Sequence, residues 1–413
     1  MLPKINNKSF LEISEEDLFA LIDNEAYREN EYIDYKQNFA FLEITDKKKR
    51  NDKISEFKSD VCAMANAEGG YLIYGISDKN GCADEIIGVD IPDGNTDRFE
   101  LDRRNNLSSI SPRTPYIKFN FIKLVNDNYV VIIFVKHDSF APYIHLENEK
   151  NYLIYKRSGN GKRAIGYQEL KNMFNQSLSL EKEIYNYRMD RINYYKNQED
   201  DENNTYSQFL ILHIIPETFT DSNYDQNMYV LEKSLNFSSV FASFSCNTDS
   251  IPCVDGLRFL SNSTYEPQSE CYIFNNGIVE CFFPIGHHLN KFRSEYPNGY
   301  IAWKYIWDKI CQTIHKYDEV LSSTQNEDRV FVCVSIIGCK GVRSTGKDEE
   351  FNYDYVGEID RNTMLCNPVI INDISSENEE KLLLKKLYIE YLLAIGNKTD
   401  KTLNTFIKEV YHA

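Results

Sequence analysis

No apolar run in the 413-residue chain approaches the thickness of a bilayer. The longest, such as Val130 to Val135, fall far short of the roughly 20 residues a spanning helix needs. Met1 to Asn24 reads as a charged, helix-like segment and not as an apolar leader, so the expected location is the cytoplasm, with no membrane partner. Cys-x-x-Cys pairs are missing as well. The 10 cysteines sit mostly inside apolar strand or helix patterns, which reads as buried thiols in a reducing compartment, with Cys246 and Cys253 the one pair to check for metal. A Gly-x-Ser-x-Gly or Cys/His signature for a covalent nucleophile is absent, and the seven histidines are scattered apart from His287-His288, which reads as a surface or packing pair. Excess positive charge is lacking too: the net charge of -17 argues against a protein that coats nucleic acid non-specifically.

That charge is unevenly spread. Residues 1 to 180 hold 24 Lys+Arg against 28 Asp+Glu, net -4, whereas residues 181 to 413 hold 22 against 35, net -13. A nearly balanced first part can still present a basic face. The acidic stretch Gln198-Glu199-Asp200-Asp201-Glu202-Asn203-Asn204 reads as an exposed linker, 198–207, between a domain at 1–180 and a second at 208–413.

Along the first part, Ser14 caps a short helix with Leu18, Leu21 and Ile22 on one side. Tyr32 to Lys36 reads as a strand that puts Asp34 and Lys36 on one face; Glu29, five residues before Asp34, converges with it only from a turn preceding the strand. Asp46 to Asp52, with Lys47, Lys48, Lys49 and Arg50, reads as a charged loop. Ile54, Phe57, Val61 and Met64 then recur at helical spacing, stopped by Gly69-Gly70 ahead of a buried strand, Tyr71 to Ile76, with Asp78 just past its end. A helix over Asn95 to Ile110 carries Arg103 and Arg104, a hairpin follows over Tyr116 to Val135, and a strand over Tyr152 to Lys156 leads into the cationic turn Arg157 to Arg163. The second part reads as a mixed α/β unit, with strands near Phe209 and Phe331, an amphipathic helix over Gly299 to Tyr317, and a last helix between a Ser376/Glu379 capping box and Gly396. Gly341 to Asp348 has P-loop spacing, but Asp348 stands where a magnesium-ligating hydroxyl belongs, so it reads as a flexible loop.

Two or three carboxylates converging at strand ends make a hard-oxygen site for Mg²⁺ or Mn²⁺. A lysine beside them would stabilise charge on a phosphate. The run Glu29…Asp34-Tyr35-Lys36, followed by Ala63-Met64-Ala65-Asn66-Ala67-Glu68-Gly69-Gly70-Tyr71-Leu72-Ile73-Tyr74-Gly75-Ile76-Ser77-Asp78, closely resembles the AlbA-type core of Schlafen proteins. Ile87-Gly88-Val89, Pro142 and Tyr155-Lys156-Arg157 match the order of bacterial members, and the likeness covers roughly residues 14 to 176. The resemblance implies an α/β (α+β) fold with a mixed sheet. It also implies a metal-dependent endoribonuclease acting on tRNA-like structured RNA, in anti-phage defence. Animal Schlafens that cleave tRNA and rRNA use two acids five apart in Glu-x-x-x-x-Glu-Phe-Lys and a third after the Gly-Gly strand. Here those positions are Glu29, Asp34 and Asp78, with Lys36 as the catalytic lysine.

Lys47, Lys48, Lys49, Arg50, Arg103, Arg104, Arg157, Lys162 and Arg163 are then the expected RNA-backbone contacts. Asp34 departs from the usual Glu and is one carbon shorter. The chain carries one copy of a lobe that animal Schlafens pair, which a homodimer or higher oligomer could supply. The acidic second domain would bind a regulatory protein or ligand. The alternative reading is a non-catalytic regulator that binds nucleic acid or ATP through the same fold.

Overall fold

The computed structural model describes residues 3–148, 151–198, 208–220, 248–261, 269–285, 300–324, 329–345 and 357–396. The linker at 199–207, Cys246, His287-His288, and Gly346 to Asp348 of the P-loop-like stretch lie outside them. The chain divides into two compact units, Met1–Lys182 and Glu183–Ala413. Both mix helices with sheets, the α/β class expected. Among the described residues no helix is long and apolar enough to cross a membrane.

In unit 1, the expected first helix is only α1, Glu15–Leu18; Asp17 accepts hydrogen bonds from the Ser14 backbone N–H and hydroxyl. The central sheet runs β1 (Ile33–Lys36), β2 (Gly70–Tyr74), β6 (Tyr129–Val135), β5 (Ile117–Lys123), with β1 parallel to β2 and the other pairs antiparallel. Alternation builds a core on each face. Leu72, Tyr74, Val131 and Ile133 pack under α2 (Lys47–Ala65) and α3 (Thr96–Asn106), while Tyr71, Ile73, Val130 and Ile132 pack with Phe10, Leu18 and Leu21 from the start of the chain. The Gly-Gly turn is forced by close approach. A Cβ at Gly70 would lie 2.5 Å from the Tyr32 carbonyl oxygen, and one at Gly69 would lie 2.7 Å from that of Val135. Past Gly75 the chain forms a hairpin of β3 (Ile76–Lys79) and β4 (Cys82–Ile86), so Asp78 lies within a second strand and not beyond the first. A short hairpin, β7 (His145–Asn148) with β8 (Asn151–Leu153), and a second, β9 (Tyr155–Ser158) with β10 (Gly161–Ala164), follow.

The charged loop expected at Asp46 to Asp52 is instead the first turns of α2. Four cations at a helix N-terminus oppose its dipole. The Asp46 side chain nevertheless caps the Lys49 N–H at 2.9 Å, and burial of Phe57, Val61 and Met64 further along holds the helix. Helix α4 runs unbroken over Tyr167–Gln198, a stretch with neither proline nor glycine.

Unit 2 is organised on an antiparallel sheet in the order β12 (Thr248–Cys253), β13 (Gly256–Ser261), β14 (Glu270–Phe274), β15 (Val279–Pro284), β11 (Phe209–Pro216), β17 (Val330–Ile337), β20 (Thr363–Leu365), with β21 (Val369–Ile371) also on β17. One face packs on α5 (Trp303–Thr324) through Ile306, Ile310, Ile314 and Tyr317, and on α6 (Glu377–Ala394) through Leu383, Leu387 and Tyr391. The other takes Ile192 and Tyr195 of α4. β16 (Tyr300–Ala302), β18 (Arg343–Thr345) and β19 (Gly357–Glu358) form a separate three-stranded sheet. The P-loop-like stretch therefore opens with a strand, because Arg343–Thr345 finds backbone partners on both sides. The Ser376/Glu379 capping box does not form: Glu379 accepts from the Asn372 N–H at 2.6 Å, and the Ser376 side chain makes no cap.

Candidate active site

Glu29 sits in the turn before β1. The Asn30 side chain accepts from the N–H groups of Tyr32 and Ile33 and tightens that turn, which lets Glu29 Oε1 reach forward to accept from the Tyr35 N–H at 3.0 Å. The Glu29 N–H donates to the Gly81 carbonyl at 2.7 Å, and the Gly81 N–H donates to Asp78 Oδ2 at 3.2 Å. One glycine in the β3–β4 turn thus ties the first acid's backbone to the third acid's carboxylate. Asp78 itself is exposed.

Asp34 and Lys36 point from β1 toward α2, while Ile33 and Tyr35 point to the opposite core. Asp34 is buried between two cations, with Lys36 Nζ 2.6 Å from Oδ2 and Arg157 Nη2 3.2 Å from Oδ1. The lysine approaches off the hydrogen-bonding direction, and Oδ2 takes no hydrogen bond among the described residues. Burial pushes the Glu29 carboxyl up to about 7, with the neighbouring Asp34 and Asp78 carboxylates adding to the effect against the Tyr35 N–H. Burial works against the Lys36 charge, but Asp34, Asp60 and Glu29 outweigh it and hold its pKa above the ordinary lysine value.

Asp60 is the residue the sequence reading missed. It projects from α2 beside Lys36, is nine-tenths buried, and pairs with Lys162 of β10 at 2.7 Å. Burial raises its carboxyl pKa against the pull of Lys162 and Lys36. The signal was present: Phe57, Asp60, Val61 and Met64 follow the spacing of a buried helix face, where a carboxylate needs a partner.

Several expected RNA contacts are something else. Arg157 is buried, donates to the Asn30 and Ile33 carbonyls and pairs with Asp34; it belongs to the acid site and not to a phosphate-contacting surface. Arg103 is buried over the rings of Phe39, Phe41 and Phe99 at 4.6 to 5.6 Å, so it is a core cation. Arg104 is tied to Glu100 and the Ile117 carbonyl, and Arg163 to Glu169, both at the surface. Lys162 is engaged by Asp60. Lys47, Lys48, Lys49 and Arg50 remain exposed on the first turn of α2.

The cofactor implied by the sequence is Mg²⁺ or Mn²⁺. The donors fit it in kind: hard carboxylate oxygens, one of them buried without a hydrogen bond, beside a carboxyl whose pKa is raised by burial first and by its acidic neighbours second. Among the described residues, no group of three His, Cys, Asp or Glu side chains is already arranged to hold an ion.

Residues 29–166 match the Schlafen, AlbA_2 family model, so unit 1 contains a Schlafen AlbA_2 domain. No curated protein matches the chain. Among solved structures it is similar to the DIP2311 protein of Corynebacterium diphtheriae (21 % identity over 34 % of this chain and 23 % of that one, TM-score 0.24). It is also similar to the N-terminal domain of a putative ATP-dependent DNA helicase RecG-related protein of Nitrosomonas europaea (18 % identity, 30 % of this chain and 69 % of that one, TM-score 0.19). The chain thus spans under a quarter of the Corynebacterium protein.

Proposed function

We propose that unit 1 acts on nucleic acid as a metal-dependent endoribonuclease, with tRNA-like structured RNA as substrate and anti-phage defence as its setting. The observation that carries this reading is the Gly81 bridge, which links the Glu29 backbone to the Asp78 carboxylate although the two acids come from separate stretches of the chain. Glu29, Asp34 and Asp78 would hold Mg²⁺ or Mn²⁺, which when bound supplies a Lewis acid at the phosphoryl group. Lys36 stands ready to stabilise charge on the phosphate, with Asp60 and Asp34 keeping it protonated. The exposed Lys47 to Arg50 would meet the RNA backbone.

One observation favours the rival reading of a non-catalytic nucleic-acid- or ATP-binding regulator: Asp34 is already engaged by Lys36 and Arg157. A single assay separates the two. Purified protein with tRNA and Mn²⁺ should give discrete fragments that vanish in Asp78→Ala. Intact RNA with every divalent metal tried, alongside RNA binding that Asp78→Ala leaves unchanged, would establish the regulator instead.

A further inference from the structure

Two cations hold Asp34, and they are themselves held in different ways. The Arg157 side chain is 4 % exposed, and besides Asp34 Oδ1 it grips the Asn30 and Ile33 carbonyls, each at 3.3 Å. It is built in. Lys36 has only the Asp34 carboxylate as an ion-pair partner among the described residues, and its side chain, on a flexible stem, is 32 % exposed. It can leave. The oxygen it covers is Oδ2, 2.6 Å from Nζ, which is buried and takes no hydrogen bond among the described residues. A contact that close without hydrogen-bond geometry is a point charge set on an acceptor, the same service a metal ion gives a hard oxygen.

The surroundings say whose place the ammonium fills. The Glu29 carboxyl is a hydrogen-bonding neighbour of Asp34 and feels the Asp78 charge, so the covered oxygen belongs to the acid cluster. Asp60, the other acid that acts strongly on Lys36, is anchored by Lys162 at 2.7 Å and gives a displaced ammonium an acid to turn toward. We propose that Lys36 is a stand-in cation: in the metal-free protein its ammonium occupies Asp34 Oδ2 in place of a divalent ion, and it gives up that oxygen when the site is loaded. This role rests on the metal-dependent reading above and deepens it. The ion pair that favours a non-catalytic regulator becomes the resting state of the site, and the same displacement frees Lys36 to meet a phosphate.

The test is calorimetric titration of the full chain with Mn²⁺ in mildly alkaline buffer, where Glu29 is ionised. Lys36→Met removes the competing charge and keeps the stem, and Arg157 still pairs with Asp34, so the fold is not at stake. This variant should bind Mn²⁺ at least about tenfold more tightly than the wild type, a fraction of the attraction between charges at such a separation. Lys36→Arg keeps a cation and should bind no more tightly, while Asp78→Ala should bind more weakly. Acetylation of Lys36, followed by mass spectrometry, should be faster with saturating Mn²⁺ than without it. If the wild type binds Mn²⁺ through Asp78 and Lys36→Met binds no more tightly, the stand-in role is overturned and the metal reading survives. If neither binds, both fall. Acetylation that Mn²⁺ leaves unchanged or slows would show that Lys36 stays on Asp34, which also overturns the role.

Discussion

Each unit buries a carboxylate cluster, and the two are built to opposite rules. In unit 2, Glu280 of β15 is wholly enclosed and saturated. Arg191 donates to it from Nε and Nη2 at 2.8 and 2.6 Å, the Tyr195 hydroxyl donates at 2.8 Å, and His213 Nε2 lies 2.8 Å away. Arg191 is in turn stacked over Tyr194, Tyr195, Tyr272 and Phe274 at 4.5 to 5.5 Å. Burial alone would raise the Glu280 carboxyl, but His213 and Arg191 overcome it and bring it down to about 2. In unit 1, Glu29 has one backbone donor and two acidic neighbours, and burial, with those acids adding to it, pushes it the other way, to about 7. A carboxylate whose partners are all supplied by the protein is a structural clamp. A carboxyl crowded by other acids, beside a buried oxygen without a hydrogen bond, has capacity left for a cation.

The strongest way to break this comparison is Glu280→Ala. It leaves the Arg191 charge in a half-dry, aromatic-lined site with no counter-ion, a change that costs about 3 to 5 kcal/mol in buried pairs. Hydrogen exchange should show unit 2 losing protection by that amount. A loss no larger than that of a surface substitution would mean Glu280 is not a clamp.

Acidity should then separate the two units by sign. Glu280 titrates near 2 when folded and near 4.5 when unfolded, so its contribution is complete above pH 4.5 and is lost as the pH falls toward 2, about 3 kcal/mol in all. Glu29 does the reverse. Its folded value of about 7 lies above the unfolded 4.5, so the folded state holds the proton more tightly. That contribution is complete below pH 4.5 and declines as the pH rises through 7, by about 1 to 2 kcal/mol once solvent around this half-buried group is discounted. Hydrogen exchange in chelated, metal-free buffer should show unit 2 weakening on the acid side and unit 1 on the neutral side. Parallel weakening of both would sink the distinction.

How much of this was legible in the sequence depended on the range of the interactions. The Gly-Gly turn, the strand after it and the shared face of Asp34 and Lys36 follow from local rules, namely close backbone approach at Gly70 and a side-chain period of two. The turn at Glu29 was legible for the same reason. Arg157 was misread because its partners lie 124 and 127 residues away, and nothing local distinguishes a cation that closes an acid site from one that meets a phosphate. Asp60 was missed although its helical spacing placed it on a buried face. The Lys47 to Arg50 run was read as loop because a dense run of charge usually marks a solvated loop, and only the packing of α2 further along decides otherwise. The Glu280 cluster gave no signal, since it joins strands and a helix across 67 to 89 residues.

The smallest expected stability change is also the sharpest. Glu29→Gln keeps the shape and the oxygen that accepts from the Tyr35 N–H, and it replaces a carboxyl that is largely protonated below pH 7 with a neutral group. Stability near neutrality should therefore shift by no more than about 0.5 kcal/mol, and the pH slope of unit 1 assigned to Glu29 should flatten. On the proposed nuclease reading, in which the ionised oxygen would serve as a metal ligand, RNA cleavage should fall by at least about a hundredfold. If the variant instead destabilises unit 1 as Glu280→Ala destabilises unit 2, Glu29 is a second clamp and the contrast between the clusters fails. If stability holds and cleavage persists, Glu29 is a spectator and the metal reading must rest on Asp34 and Asp78 alone.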